Sequence, residues 1–313
     1  MKSITPSRSA LLLEIEPLLA QGHYLRALDS LGLGLQQIRA ESSSDEWRTF
    51  CAENFSGETF SRHPLSRLLK VGPLGSGCAG TSHGQIHEPL ILDVIYGFDE
   101  DEPPDLSPAA RAVRSWELAL GFSASLRERH QLFVRELNDL GASFAHPRVL
   151  AVGCGHLRDA AAALSLKDLC GGEVVAFDRD RACIDWVQRE YRHPGLRTLS
   201  GSLRDLTKDS TLGHFDFIYL PTLLDTLEDL RVKVVLGALL PLLKPGGRLL
   251  AANFSPELAD SAYLEACWNW WPRYRGEAEW AALLSSLSSE TLRGQTIFRD
   301  HAGGSLFLEL QVI

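Results

Sequence analysis

The sequence predicts an α/β fold: a mostly parallel seven-stranded sheet, a C-terminal antiparallel hairpin and a helical N-terminal extension. Two observations carry this. From about residue 148 onward, short β-type runs alternate with helical stretches, the pattern of a parallel sheet with helices on both faces. The end of the chain breaks that alternation. There QTIFRD and SLFLELQVI flank HAGG and read as a β-hairpin, which gives the sheet an antiparallel edge.

The elements follow in order. Residues 1–70 read as helical, with leucines at helical spacing broken at Gly22 and around Gly32 and Gly34. Residues 71–88, VGPLGSGCAGTSHGQIHE, are rich in Gly, Ser and His and read as a loop. PLILDVIYGF is a short apolar segment. DEDEPPDLSP is an acidic, proline-containing linker in which Asp105 or Ser107 can cap the next helix. That helix is expected from about Pro108 to Leu140, with a break at Gly121. The composition therefore divides the chain into a helical cap or lid region, 1–105, and an α/β domain, 106–313.

Within the second region, RVLAVG, EVVAFD, LRTLSGS, FDFIYLP and RLLAANF are the strand-like runs. HLRDAAAALSLKDL, DRACIDWVQREY and LLDTLEDLRVKVVLGALLPLL are the helices between them, and KPGG is a turn.

Composition excludes several classes. The net charge of −9, from 31 basic and 40 acidic residues, and the lack of a long basic run disfavour nucleic acid as a partner. The cysteines at 51, 78, 154, 170, 183 and 267 form no CxxC pair and no zinc-type cluster, so no metal is expected and a reducing cytoplasmic location is. ALLLEIEPLLA is interrupted by Glu14, Glu16 and Pro17, and VVLGALLPLL is too short to span a bilayer.

The loop after the first strand carries the first chemical signal. In VLAVGCGHLRDA, Gly153 and Gly155 flank Cys154 and let backbone and ligand approach closely, while the helix starting near His156 aims unpaired N–H groups at a ligand. A dinucleotide site needs a third glycine for tight helix–strand packing beside a pyrophosphate, and Arg158 stands there instead. Asp178 ends the second strand, 23 residues beyond Gly155, where a carboxylate can accept from both hydroxyls of a ribose; a turn or N-cap aspartate is the alternative. Asp180 is the weaker candidate. Ser202 and Leu203 follow the third strand, where adenine is read by a short polar side chain and the next backbone N–H; Ser202 also reads as a plain turn residue. Leu220 and Pro221 end the fourth strand, and LLKPGGRLLAANF supplies a helix, turn and strand in the required order.

Taken in sequence, these signals resemble the class I S-adenosylmethionine (SAM)-dependent methyltransferase family, over about residues 147–313. The resemblance implies a Rossmann-like domain, a SAM-utilising enzyme, and a cofactor site of Gly153, Cys154, Gly155, His156, Arg158, Asp178, Ser202, Leu203, Leu220 and Pro221. In that site Arg158, or the backbone beside it, would meet the methionine carboxylate; a surface arginine is the alternative. A narrower resemblance rests on VGCGHLRDA, GSLRDL, ANFSPELADSAYLEACWNWWPRYRGEAEW and the upstream HPLSRLL, GCAG and LDVIYG. It is to a bacterial branch named for 3-hydroxypalmitic acid methyl ester biosynthesis, and also to azetidine-2-carboxylic acid synthases. The branch usually has Gly-Tyr-Ala-Gly-Asp where this chain has Gly77, Cys78, Ala79, Gly80 and Thr81, a loss of an aromatic and a carboxylate that puts the branch's acceptor specificity in doubt here.

Aromatic faces hold a sulfonium without attacking it. Trp268, Trp270, Trp271, Trp280, Tyr263 and Tyr274 cluster late in the chain, and a helix from about Pro256 would align Tyr263, Cys267 and Trp270. They read as an aromatic wall or as ordinary core. Trp270 and Tyr274, with Asn253 at the end of the fifth strand, are the candidate catalytic residues. YLPT lacks the Asp/Asn-Pro-Pro-aromatic motif of nucleic-acid amino methyltransferases. His156, His83 and His87 are candidate proton acceptors or plain structural histidines. Three readings result: methyl transfer to a small molecule, a carboxylate among them; cyclisation of SAM itself to azetidine-2-carboxylic acid with release of methylthioadenosine, which needs no acceptor; and a non-catalytic SAM-binding regulator. The N-terminal region is left as a lid or as the arm of a homodimer.

Overall fold

The computed structural model describes residues 10–77, 88–98, 106–163, 172–209, 211–285, 287 and 292–313. The chain folds as two compact units. One is Met1–Ala124 with Leu258–Trp271, the other Ser125–Glu257 with Pro272–Ile313. The expected boundary at 105/106 falls inside the first unit, which also recruits a segment from between strands of the second.

The first unit is helical. Its helices include Ala10–Ala20, Tyr24–Ala40, Ser44–Asn54 and Pro108–Ala119, joined by Ser261–Trp268 from the distant segment. Leu28, Leu31, Leu35 and Ile38 form the buried stripe of the second helix, at the spacing of one helical face. Local chemistry sets the ends. Ser43 and Glu46 make a capping box, and Ser107 accepts from the Ala110 N–H at 3.2 Å with Pro108 at the first helical position. Asp105, the other expected cap, lies outside the described residues. The long expected helix is two, Pro108–Ala119 and Gly121–Ser143. Asp260 accepts the Phe122 N–H at 3.0 Å, and a β-carbon on Gly121 would meet that carboxylate at 2.9 Å. Pro73–Gly77 and Glu88–Tyr96, expected as loop and apolar segment, are helical; residues 78–87, with most of the departing loop, His83 and His87, lie outside the described residues.

The helix expected from about Pro256 differs most. It runs only from Ser261 to Trp268, because Asn269 takes the left-handed conformation at φ 50° and the Trp270 N–H turns back to the Leu264 carbonyl at 3.1 Å. Trp270 therefore lies past the helix end and shares no helical face with Tyr263 and Cys267.

The second unit holds the sheet. Its strands are β1 Arg148–Val152, β2 Glu173–Asp178, β3 Leu196–Ser200, β4 Phe215–Leu220, β5 Leu243–Phe254, β6 Leu292–Arg299 and β7 Ser305–Val312, in the order β3-β2-β1-β4-β5-β7-β6. The first five are mutually parallel, and β7 inserts antiparallel between β5 and β6, as the hairpin reading predicts. Both faces of the sheet are buried: Leu150, Ile218 and Leu249 enter one apolar cluster, Val149, Phe217 and Leu250 another. KPGG, expected as a turn, is taken into the start of β5. Gly246 has φ 79°, and a β-carbon on Gly247 would come within 3.0 Å of the Phe215 carbonyl oxygen. The order reverses between β1 and β4, so the carboxyl ends of these strands open the crevice where such sheets bind ligands.

Candidate cofactor site

The site grows from the β1 end. The Gly153 and Cys154 N–H groups both donate to the Phe177 carbonyl of β2, at 2.9 and 3.1 Å, which folds the loop back across the strand ends. Gly153 has φ 68°, and a β-carbon there would stand 3.2 Å from that of Leu223. Gly155 has φ 49°, and Leu157 adopts the same left-handed region at 52° despite its side chain. The Cys154 thiol is buried, and burial beside the Asp178 carboxylate pushes its pKa well up, so it packs as a neutral group.

Asp178 links this loop to β2. One carboxylate oxygen accepts the Gly155 N–H at 2.9 Å and the other the Asp180 N–H at 2.8 Å. Asp180 accepts from the Ala182 N–H at 2.8 Å and is the N-cap of helix Arg181–Glu190. The two aspartates thus divide the roles: Asp180 starts the helix, and the half-buried Asp178 faces the loop.

After β3, Ser202 caps helix Leu203–Lys208. Its hydroxyl and N–H both bond Asp205, at 2.6 and 2.9 Å, and these bonds pull the Asp205 carboxyl below its ordinary range. The Ser202 hydroxyl is a cap. Leu203 opens that helix, and its N–H has no intrahelical acceptor.

Three residues expected at the ligand make contacts within the protein. The Arg158 guanidinium lies 4.5 Å from the Trp186 ring and donates to the Tyr191 hydroxyl at 3.3 Å. The buried His156 ring stacks on Trp186 at 4.0 Å. Asn253 is fully buried, so it is no polar contact at a mouth. Its amide donates to Asp225 at 2.8 Å and to the Arg273 carbonyl at 2.7 Å, and its oxygen accepts from Arg275 at 2.7 Å.

Asp225, 1% exposed, is the hub behind the β4 end. It also accepts from Arg129 at 2.6 Å and from the Phe254 N–H at 2.6 Å. Arg129 reaches the Pro221 carbonyl at 3.3 Å, and Arg275 holds the Leu224 carbonyl at 2.9 Å. Leu220 and Pro221 are both buried at the β4 end, with the Pro221 carbonyl held by Arg129. Tyr274 lies between Arg273, whose N–H bonds the Asp225 carbonyl at 2.7 Å, and Arg275, whose N–H bonds that of Phe254 at 3.0 Å. Its backbone is therefore pinned beside the β4 and β5 ends. Trp270 belongs to the first unit, where it meets Phe122 edge-on at 6.4 Å. Tyr263 is core of that unit, bonded to Glu117 at 2.6 Å, and Trp280 is core of the second.

Sequence reasoning missed Trp186, Asp225, Arg129 and Arg275. Trp186 had a signal, an aromatic on the helix directly after Asp178. The others are joined only by the fold.

Residues 149–247 match the family described as a methyltransferase domain. The structure resembles a possible exported protein from Bordetella parapertussis, at 16% identity over 88% of this chain and 98% of that one, with a TM-score of 0.53. It also resembles a protein of Thermobifida fusca YX provisionally named a methyltransferase, at 17% identity over 71% of this chain and 92% of that one, with a TM-score of 0.52. No curated protein matches the sequence. The sheet order and the match over residues 149–247 define a class I methyltransferase fold, and the cofactor that methyltransferase domains of this fold take is SAM. The residues fit that group. Gly153 and Gly155 make a left-handed turn at the β1 end, the Asp178 carboxylate lies beside that turn at the β2 end, and the Leu203 N–H is not used by its own helix.

Proposed function

We propose that the protein transfers the methyl group of SAM to a small-molecule acceptor, with a carboxylate as the leading class. The observation that carries this is the Asp178 carboxylate, held 2.9 Å from the Gly155 N–H inside a matched methyltransferase domain. When bound, SAM supplies a methyl group made electrophilic by the sulfonium.

The chain's own residues then have positioning tasks. Asp178 and the Leu203 N–H orient the nucleoside end. Leu220 and Pro221, braced by Arg129, Asp225 and Arg275, keep water from the reacting end. In-line displacement at carbon needs alignment and dryness more than covalent help. A carboxylate acceptor is already nucleophilic at neutral pH and needs no base, which is why it leads.

The test is incubation with SAM alone and with a panel of carboxylic acids, followed by mass spectrometry. S-Adenosylhomocysteine with a methyl ester supports the proposal. Methylthioadenosine with a four-membered imino acid from SAM alone replaces it by cyclisation. Tight SAM binding with no turnover in either arm replaces it by a regulatory role.

A further inference from the structure

The cofactor loop is held at both of its ends, and only one end involves the ribose carboxylate. At the first, Gly155 donates to Asp178. At the second, His156 stacks on Trp186 at 4.0 Å with an interplanar angle of 16°, and the Arg158 guanidinium sits 4.5 Å from the same indole. Between these two side chains lies Leu157, in the left-handed conformation that a β-carbon disfavours. Tyr191 closes the cluster: its ring meets Trp186 edge-on at 5.7 Å, and its hydroxyl accepts from Arg158 at 3.3 Å.

The helix that carries Trp186 is the one capped by Asp180, two residues beyond Asp178. One short helix therefore fixes the acid at its start and the loop's far end along its side.

We infer that Trp186 is a positioning residue for SAM binding: its indole face seats His156 and Arg158 and holds Leu157 in its strained turn before the cofactor arrives. An aromatic face serves because it takes both a stacked imidazole and a cation, which an aliphatic side chain of similar bulk does not. The cluster also gives Arg158 a use other than touching the cofactor.

This inference rests on the SAM-binding reading, so the experiment measures SAM affinity of the wild type first. Absence of SAM binding there overturns the functional reading, and the inference with it. Given wild-type binding, Trp186→Leu should weaken SAM roughly tenfold or more, and Trp186→Phe should stay within about threefold of wild type. NMR gives an independent readout. The indole ring current shifts the His156 ring protons upfield in the wild type; that shift should be lost in Trp186→Leu and partly kept in Trp186→Phe. If the Leu variant does not fold, Trp186→Met, unbranched and apolar, takes its place with the same expectation. Equal SAM affinity in the Phe and the Leu or Met variants, or a wild-type His156 without the ring-current shift, overturns the inference while leaving the functional reading standing.

Discussion

Asp178 accepts the Gly155 N–H at 2.9 Å with one oxygen and the Asp180 N–H at 2.8 Å with the other, so a single carboxylate joins the glycine turn to the end of β2. Replacing it with alanine removes the loop's anchor and the proposed ribose acceptor together. Hydrogen bonds to a charged group are worth about 1.5–3 kcal/mol each, so Asp178→Ala should weaken SAM by roughly ten- to a hundredfold, measured by calorimetry. Asp180→Ala should behave differently. It removes an N-cap, costing about 1 kcal/mol of stability, and should leave the affinity within about threefold. Equal losses in both variants would show that the two roles are not divided this way.

Leu203 offers a cleaner probe of the proposed adenine contact. Proline at the first helical position removes an N–H that the helix does not use, and Ser202, at φ −86° and ψ 158°, already has the extended backbone required before a proline. Leu203→Pro should therefore keep the fold and weaken SAM by about fivefold or more, the worth of one hydrogen bond. Leu203→Ala, compared in the same titration, should bind SAM better than the proline variant.

The Arg129–Asp225 pair, 2.6 Å apart with both side chains 1% exposed, predicts a stability effect. Asp225→Ala strands a buried guanidinium and leaves the Phe254 N–H and the Asn253 amide without their carboxylate. The cost should be about 3–5 kcal/mol, seen as a large fall in the urea midpoint. Asn253→Ala should likewise lower stability, not the chemical step alone. A variant of Asn253 that folds normally but turns over slowly would restore its catalytic assignment.

Glu117 gives the first unit a pH dependence. It is 1% exposed and accepts from the Tyr263 hydroxyl at 2.6 Å and the Leu74 N–H at 3.1 Å; burial pushes its pKa up to about 7 despite those bonds. The pKa is higher folded than unfolded, so between about pH 4.3 and 7 the folded state binds more protons. The stabilisation is present at the acid end of that window and declines as pH rises through it, by about 4 kcal/mol in all. Urea titrations across this range should show the decline, and Glu117→Gln should flatten it. An unchanged slope in the variant would assign the dependence to another group.

Much of the sheet was legible because parallel strands buried on both faces write themselves as apolar runs. RVLAV, EVVAFD and FDFIYL became β1, β2 and β4 within a residue of the expected bounds. The glycine turn was legible for a local reason too, since the conformations of Gly153 and Gly155 are set within a few residues. Tyr263, Cys267 and Trp270 misled because periodicity does not show where a helix stops; Asn269, turned left-handed, decided it.

By itself the sequence determined the order of the strands, the C-terminal hairpin, and the positions of the glycine turn and of Asp178. Those depend on neighbours in the chain. Only the tertiary structure decided which polar side chains are left for a ligand. Asn253 is consumed by Asp225 and Arg275, 28 and 22 residues away, and Arg158 leans on Trp186 and Tyr191, the latter 33 residues on. A buried polar group must be satisfied by whatever the fold brings beside it, and that partner is not encoded in local spacing.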